Sequence, residues 1–168
     1  MPAPTTNRIL GVDPGLNTTG YAVVETDGRQ LDVVEAGIVR SRERDELAAK
    51  VQAIYDGLAD VIRSLQPTVM AIEELYSHYD RPRTSILMGH ARGVICLAAT
   101  QADIAVVNYS ATQVKKILTG SGRAPKLQIQ EAIQRELQLD QLPEPADVAD
   151  ALAIALTHHY LGGKLAGV

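Results

Sequence analysis

The sequence predicts an α/β protein with a mixed five-stranded sheet, in which an antiparallel meander precedes parallel strands and helices flank the sheet. Three observations support this fold class. Valine-rich segments at 21–26 and 30–39 flank the hairpin signal Asp27-Gly28. From Asp45 onward, apolar residues recur at three- and four-residue spacing, as they do in a helix. Helical and strand patterns then alternate, which is typical of parallel strands joined by helices.

The first part of the chain supplies the meander and one helix. The run RILGV at 8–12 ends in Asp-Pro-Gly, which favours a buried strand closed by a turn. YAVVET at 21–26 and QLDVVEAGIV at 30–39 are the next two strands. The helix that begins near Asp45 should end before Pro67, because the residue preceding a proline disfavours helical geometry.

The second part of the chain alternates between the two periods and ends in helices. TVMAIEEL at 68–75 and IAVVNY at 104–109 are predicted strands, with a helix over 84–101 between them. Three helical stretches follow, at 111–118, 126–138 and 146–161. Two segments have neither period and are predicted to be irregular: YSHYDRPR at 76–83 and TGSGRAP at 119–125.

Length and composition indicate one globular domain over 1–168, with flexible tails at 1–7 and 162–168. The chain has 168 residues, of which 46% are hydrophobic and 21% charged. It contains no signal-like stretch and no apolar run long enough for a membrane span, so we expect a cytoplasmic protein. The single cysteine, Cys96, lies in an apolar helical pattern and is expected to be a buried, inert thiol.

The formal net charge of −4 hides a strong segregation along the chain. Residues 77–126 hold seven cations and two anions, an excess of five positive charges, whereas the remainder holds nine cations and eighteen anions. A basic segment of this kind suits a phosphate backbone, because each neutralised phosphate releases counterions. Scattered, solvated charge explains the same composition equally well, since segregation in sequence need not produce a patch in space.

Acidic side chains occur at positions where apolar residues are expected. Asp13 follows the first predicted strand, and Glu73 and Glu74 lie near the end of another apolar strand. Strand alternation allows only one of the two glutamates to face a given site. Asp147 and Asp150 are three residues apart on an otherwise apolar helix and share one side of it. Ordinary structural roles compete with function here, because turns favour aspartate and helix starts favour acids.

These acids, if they converge, would form a carboxylate cluster that repels itself unless it binds hard cations. Oxygen ligands favour Mg²⁺ or Mn²⁺, and the sequence offers no Cys/His spacing for zinc. Two such ions can activate a water and stabilise the leaving oxygen of a phosphodiester. The acids and the basic segment therefore point to the same substrate, a polyanion.

Five motifs together resemble the RuvC family of Holliday-junction resolvases, in the same order and over nearly the whole chain. They are GVDPGLNTTGYAV, MAIEELY, GHARGV, QVKKILTGSGRAPKLQIQ and ADVADALAIALTHH. The resemblance implies an RNase H-like fold, a homodimer, and incision of four-way DNA junctions that depends on Mg²⁺, with Mn²⁺ as a substitute and two ions per site. It further implies a branch-migration helicase complex of the RuvA and RuvB type as partner, and association with the nucleoid.

Carried over position by position, the resemblance assigns residue roles. The catalytic and metal-binding acids are Asp13, Glu73, Asp147 and Asp150. Lys115, Lys126 and Tyr76 are assigned to DNA in the same way. Arg81, Arg83 and Arg123, which belong to the basic segment, are predicted from the residues themselves to contact DNA as well. Tyr76 stands where the family commonly has phenylalanine. Some relatives replace the first helix acid with histidine, but this chain keeps Asp147, so His158 and His159 receive no metal role. The glycines of DPGLNTTG are expected to turn the chain so that the second strand pairs without covering the metals.

Two other classes of function fit parts of the sequence. The string Asp-x-Gly followed by hydroxyl residues is similar to the first phosphate loop of actin- and sugar-kinase-like ATPases, but such enzymes need two related domains. GSGRAPK lacks the spacing of a P-loop. A non-catalytic junction-binding protein would need the basic segment but not the four acids.

Overall fold

The structure is a computed structural model that describes residues 6–76 and 80–165, with side chains through residue 162 in the last helix. Its sheet has five strands in the order β3-β2-β1-β4-β5. The strands are β1 (Asn7–Asp13), β2 (Thr18–Thr26), β3 (Leu31–Arg40), β4 (Val69–Glu73) and β5 (Ala105–Tyr109). The β1–β2 and β2–β3 pairs are antiparallel, and the β1–β4 and β4–β5 pairs are parallel. This confirms the predicted mixed sheet.

Helices cover both faces of the sheet. They are α1 (Leu47–Leu65), α2 (Pro82–Gln101), α3 (Ala111–Thr119), α4 (Lys126–Leu137) and α5 (Ala146–Leu165). Helices α1 and α2 pack on one face with Leu10, Val12, Met70 and Ile72. Helices α3, α4 and α5 cover the other face. No helix in the described part of the chain is long and apolar enough to cross a membrane.

Strand alternation divides the apolar residues between two cores. In β1, Leu10 and Val12 face α1 and α2, whereas Ile9 faces α5. Helix α5 is buried almost all round from residue 148 to residue 157, since it lies between the sheet and helices α3 and α4. A helix that is apolar on every side is expected in such a position. The acids at the start of α5 are therefore held on a well-anchored element.

Several element boundaries differ from the sequence prediction. β4 ends at Glu73 rather than at residue 75, although the backbone N–H of Glu74 still donates to the carbonyl of Tyr109 at 2.8 Å. Helix α2 begins at Pro82, inside the segment predicted to be irregular, because proline is well tolerated in the first turn of a helix. Residues 77–79 of that segment lie outside the described residues.

Regular secondary structure extends close to both ends of the described chain. β1 already begins at Asn7, and α5 continues to Leu165, so both elements extend into the expected tails. Cys96 is a free thiol that is only partly buried, at the edge of the core under α1 and α2. The prediction of a buried thiol was wrong in extent, because Cys96 lies on the flank of α2, between the buried face that carries Ile95 and the exposed face that carries Leu97.

Candidate active site at the carboxyl edge of the sheet

Asp13 and Glu73 are the last residues of two neighbouring parallel strands. The register pairs Val12 of β1 with Ile72 of β4, so the two acids occupy the next position along adjacent strands. Both acids are half-buried. The carboxyl ends of parallel strands are a common place for ligand sites in open α/β sheets.

Alternation along the strands turns both acids toward α5. Gly11, two residues before Asp13, packs against α5, and Ala71, two residues before Glu73, lies in the core formed with that helix. Glu73 lines a cleft of about 210 Å³ together with Asp150. Glu74 does not line that cleft, in agreement with the expectation that only one of the two glutamates faces the helix acids.

Close packing of α5 on the sheet brings Asp147 and Asp150 to the strand acids. A Cβ on Gly20 would overlap the backbone carbonyl of Asp147, and a Cβ on Gly11 would overlap that of Ala151. The two glycines therefore allow the helix backbone to approach β1 and β2 more closely than any side chain would permit. Gly20 pairs with Asp13 in the β1–β2 ladder, so the start of α5 lies directly over the end of β1.

The glycines of DPGLNTTG serve two different purposes. Gly15 lies in the tight turn after Asp13, where a Cβ would overlap the carbonyl of Thr18. The Thr19 hydroxyl donates to the Gly15 carbonyl at 2.7 Å and closes this turn. Gly20 lies within β2, and its role is the approach of α5. The expectation that both glycines turn the chain was thus right for Gly15 and wrong for Gly20.

The loop after Asp13 is also tied to α1 by a buried lysine. Lys50 is 8% exposed, and its Nζ donates to Oδ1 of Asn17 at 2.6 Å. The Ser41 backbone N–H donates to the Asn17 carbonyl, and the Ser41 hydroxyl donates to the carbonyl of Leu16. Sequence reasoning missed Lys50. The available signal was its position four residues before Ile54, on the apolar stripe of α1.

The four acids interact electrostatically in one region. Burial and then the charges of Asp150, Glu73 and Asp147 raise the pKa of the Asp13 carboxyl to about 8. Burial and the charge of Asp150 raise the pKa of Glu73. Burial also raises the pKa of Asp150, and the charge of Asp147 adds to that effect. The four acids, which are far apart in the sequence, therefore act on one another in the folded chain.

Two lysines face this acidic region from different sides. Lys126, at the start of α4, lowers the pKa values of Asp13 and Asp150. Lys115, on α3, lowers those of Glu73 and Asp150. Helix α3 holds Lys115 in place through the capping box between Ser110 and Gln113 at its N-terminus. Part of the basic segment thus lies beside the acids rather than being scattered over the surface.

The donor chemistry of the four acids fits a hard divalent cation. Carboxylate oxygens are the ligands that Mg²⁺ and Mn²⁺ prefer, and buried carboxylates that raise one another's pKa values gain from a nearby cation. No three His, Cys, Asp or Glu side chains in the described ranges converge tightly enough to form a ready-made metal cage. Glu73 and Asp150 share a cleft, and Asp13 and Asp147 interact with them electrostatically.

The other residues assigned to DNA lie around this edge of the sheet. Tyr76 follows β4 and is 78% exposed, and it lines a second cleft, of about 460 Å³, which also borders Glu73. Arg81 and Arg83 are exposed at the start of α2. Arg123 is exposed in the connection between α3 and α4. The structure describes no contact between these arginines and the four acids.

Two further polar side chains, His158 and Arg92, have defined partners. Nδ1 of His158 lies 2.8 Å from the Tyr109 hydroxyl, and burial lowers the pKa of His158. His158 lines a cleft with Asn7 and Thr26, at the end of the sheet opposite to the acids. Arg92, on α2, donates to the carbonyl of Glu73 and lines the same cleft as Tyr76. Sequence reasoning gave Arg92 no role, although it lies in the quoted motif GHARGV.

Comparison with known proteins agrees with this architecture. The RuvC family model, described as crossover junction endodeoxyribonuclease RuvC, matches residues 9–158. A crossover junction endodeoxyribonuclease RuvC from Rhodopirellula baltica is 58% identical over 156 residues, which cover 93% of this chain and 88% of that protein.

Two solved structures are similar in fold. The Thermus thermophilus RuvC structure has a TM-score of 0.86 and 29% identity, covering 94% of this chain and 96% of that one. T. thermophilus RuvC in complex with Holliday junction substrate has a TM-score of 0.87 and 29% identity, covering 93% of this chain and 94% of that one. These similarities confirm the RNase H-like fold class. The chain belongs to the RuvC family of crossover junction endodeoxyribonucleases.

Proposed function

We propose that this protein is a structure-selective endonuclease that resolves four-way (Holliday) DNA junctions by paired, metal-dependent phosphodiester hydrolysis in recombination and repair. The observation that carries the proposal is the electrostatic coupling of Asp13 to Asp150, Glu73 and Asp147, with Lys126 acting on the same carboxyl. Family membership supplies the substrate. The region 1–168 acts as one nuclease domain in this proposal.

The four acids would hold Mg²⁺, with Mn²⁺ as a substitute, and two ions per site would suit four carboxylates. Bound there, the ions would activate the attacking water and stabilise the leaving oxygen. The protein's own contribution is to aim the carboxylates from β1, β4 and α5 into one region and to keep that region partly dry. Lys115 and Lys126 offset the negative charge that a DNA phosphate adds to the acidic region.

The DNA contacts extend outward from the acids. Lys115 and Lys126 contact phosphates near the cleaved bond, and Arg81, Arg83 and Arg123 contact phosphates farther away. Helix α2 has no fully buried residue before Ala91, and Met88 lines the cleft that borders Glu73 and Tyr76, so the start of this helix lies near the carboxyl edge of the sheet. Arginines at its start could therefore reach DNA that lies across the site. Tyr76, exposed beside Glu73, stacks on a base.

The active form is a homodimer in this proposal. A four-way junction has approximate two-fold symmetry, and its resolution requires two opposed cuts, so two equivalent sites match the substrate. Support from the structure comes from two large apolar side chains of α2 that are exposed, Ile86 at 63% and Leu97 at 47%. A branch-migration helicase complex of the RuvA and RuvB type is the proposed partner, at the nucleoid in the cytoplasm.

The decisive experiment is incubation of the purified protein with a synthetic four-way junction labelled on each strand, with Mg²⁺ and with EDTA. We expect paired nicks in opposed strands with Mg²⁺, binding without incision in EDTA, and no incision of linear duplex. Asp13→Asn should bind the junction without cutting it. Binding without incision by the wild type, with either Mg²⁺ or Mn²⁺, would instead identify a junction-binding protein.

A further inference from the structure

Arg92 joins the end of β4 to the edge strand of the sheet. Its Nε donates to the backbone carbonyl of Glu73 at 3.2 Å, and its Nη2 donates to Oδ1 of Asn108. Asn108 pairs with Ile72 in the β4–β5 ladder. Arg92 is partly buried, and the planar fork of its guanidinium suits two acceptors held at fixed positions.

Glu73 gains from such support because it is paired on one side only. The β1–β4 register stops at the pair formed by Val12 and Ile72, one residue before Glu73. The β4–β5 ladder still pairs Glu73 with Tyr109, and the exposed residues 74–76 follow. The carbonyl and the side chain of Glu73 are attached to the same Cα, so a donor that fixes the carbonyl also limits the directions open to the carboxylate.

We propose that Arg92 is a positioning residue for the active site: by tying the Glu73 carbonyl to Asn108, it fixes the direction in which the Glu73 carboxylate points. This inference rests on the proposed role of Glu73 as a metal-holding acid. It gives a physical role to GHARGV, the one quoted motif that neither the acids nor the DNA contacts explain.

The action of Arg92 is geometric rather than electrostatic. The charged groups that act on the Glu73 carboxyl are Asp150 and Lys115, which belong to helices on the α5 face of the sheet. Arg92 approaches from α2, on the opposite face, and contacts the backbone. Metal sites require their ligands to be held within about 0.5 Å of the productive geometry, and loss of a supporting residue typically costs about 10- to 100-fold in metal affinity or activity.

The test uses Arg92→Gln, Arg92→Lys and Asn108→Ala, with Arg63→Gln as the control. Arg63 is exposed on α1 and pairs with Asp60. The first measurement is the binding of Mn²⁺ alone to the purified protein, followed by electron paramagnetic resonance. The second is single-turnover junction cleavage as a function of Mg²⁺ concentration, and the third is junction affinity in EDTA.

We expect Arg92→Gln to raise the Mn²⁺ concentration at half-saturation, and the Mg²⁺ concentration at half-maximal cleavage, by about 10-fold or more. Junction affinity in EDTA should stay close to that of the wild type. Asn108→Ala should raise the same two metal concentrations. The double variant Arg92→Gln/Asn108→Ala should raise them by less than the two single changes combined, because both residues act through one contact. Arg92→Lys should restore part of the loss, since lysine keeps a donor but not the planar fork.

Unchanged Mn²⁺ binding in Arg92→Gln would overturn the inference, and so would complete rescue by lysine. Weaker junction binding with a smaller salt dependence and unchanged metal midpoints would identify Arg92 as a phosphate contact instead. If Arg92→Gln does not fold, Asn108→Ala provides the test instead. Mn²⁺ binding by Asn108→Ala that equals that of the wild type would then overturn the inference. A wild-type protein that binds Mn²⁺ but cuts no junction would defeat the proposed function, while the Mn²⁺ titrations would still decide the role of Arg92.

Discussion

Gly20 of β2 lies directly against the backbone of Asp147, the first acid of α5. Gly20 is also the ladder partner of Asp13, so a single contact sets the distance between a strand acid and the helix acids. The proposed active site therefore depends on a residue that has no side chain.

Gly20→Ala should displace the start of α5 and separate the acids. The added methyl group meets backbone rather than a movable side chain, so we expect a loss of about 1–3 kcal/mol in unfolding free energy. Junction cleavage should fall on the order of 100-fold, because small misplacements of reacting groups are costly. Urea unfolding and single-turnover cleavage measure the two effects.

Gly89→Ala is the matched control for this variant. A Cβ at Gly89 has Leu75 Cδ2 as its nearest neighbour, at 3.9 Å, which is an ordinary contact. This control should keep wild-type cleavage. Wild-type cleavage by Gly20→Ala would show that α5 does not need the close approach.

The raised pKa of Asp13 predicts that stability depends on pH in the absence of metal. Its pKa is about 8 in the folded protein, against an ordinary value of 3.8. Between these values the folded state binds more protons than the unfolded state, so the free energy of unfolding should fall as the pH rises from about 4 to about 8. Asp13→Asn removes this loss and should be the more stable protein near pH 8, by a few kcal/mol.

Urea unfolding of both proteins in EDTA, from about pH 5 to about pH 8, tests this sign. Asp32→Asn is the control, because Asp32 is exposed on β3 and lies away from the four acids. A wild-type protein that became more stable over this range, relative to Asp13→Asn, would contradict the assignment.

The sequence predicted the strand acids better than it predicted how they are brought together. Alternation within MAIEEL predicted that only one of Glu73 and Glu74 faces the site, because the strand period is local, and the resemblance selected Glu73. The contact of Gly20 with Asp147 joins two segments far apart in the chain, and no local pattern reveals it. Local sequence therefore indicated the candidate acids, whereas tertiary packing determined how they approach one another.

Lys50 and Arg92 show a second limit of sequence reasoning. Each side chain acts by donating to a loop or strand end that is distant in sequence. In the sequence, both residues look like ordinary helix cations. Their burial is visible only once α1 and α2 are packed on the sheet.

Lys126 should contribute both to the pH dependence of cleavage and to DNA affinity. Lys126 acts on Asp13 and Asp150, and its removal should raise their pKa values further. We therefore expect Lys126→Gln to move the acidic limb of the pH–rate profile to higher pH. Junction affinity should fall, with a decrease of about one in the slope of log affinity against log salt, as for one lost phosphate contact.

Lys115→Gln should reduce the salt slope in the same way. Lys116→Gln is the control, since Lys116 is exposed and no pairing with the four acids is described for it. Unchanged salt dependence in both Lys115→Gln and Lys126→Gln would remove these lysines from the DNA interface.

Tyr76 should contribute to junction cleavage through its ring. It is largely exposed beyond the end of β4, where a base displaced from the crossover could stack on it. Stacking on aromatic side chains is worth about 1–3 kcal/mol per base, so Tyr76→Ala should weaken junction binding and slow cleavage, whereas Tyr76→Phe should retain both.

Tyr160→Ala serves as the control for Tyr76, because its hydroxyl bonds to Glu136 on α4, away from the acids. Binding and cleavage are measured on the four-way junction and on linear duplex. Wild-type junction cleavage by Tyr76→Ala would rule out a stacking role.

A mixed dimer tests whether each subunit carries a complete active site. Asp13, Glu73, Asp147 and Asp150 all come from one chain and interact within it, so no acid has to be supplied by a second subunit. A dimer of one wild-type subunit and one Asp13→Asn subunit, purified through two different tags, should bind the junction and nick a single strand. Resolution should be slow, because the opposed cut requires the inactive subunit.

Leu97→Glu is an independent test of the dimer. A charge on the exposed apolar part of α2 should shift the protein toward monomer in analytical ultracentrifugation and reduce paired cutting more than single nicking. Efficient resolution by a mixed dimer shown not to exchange subunits, or paired cutting by a monomer, would contradict the proposal.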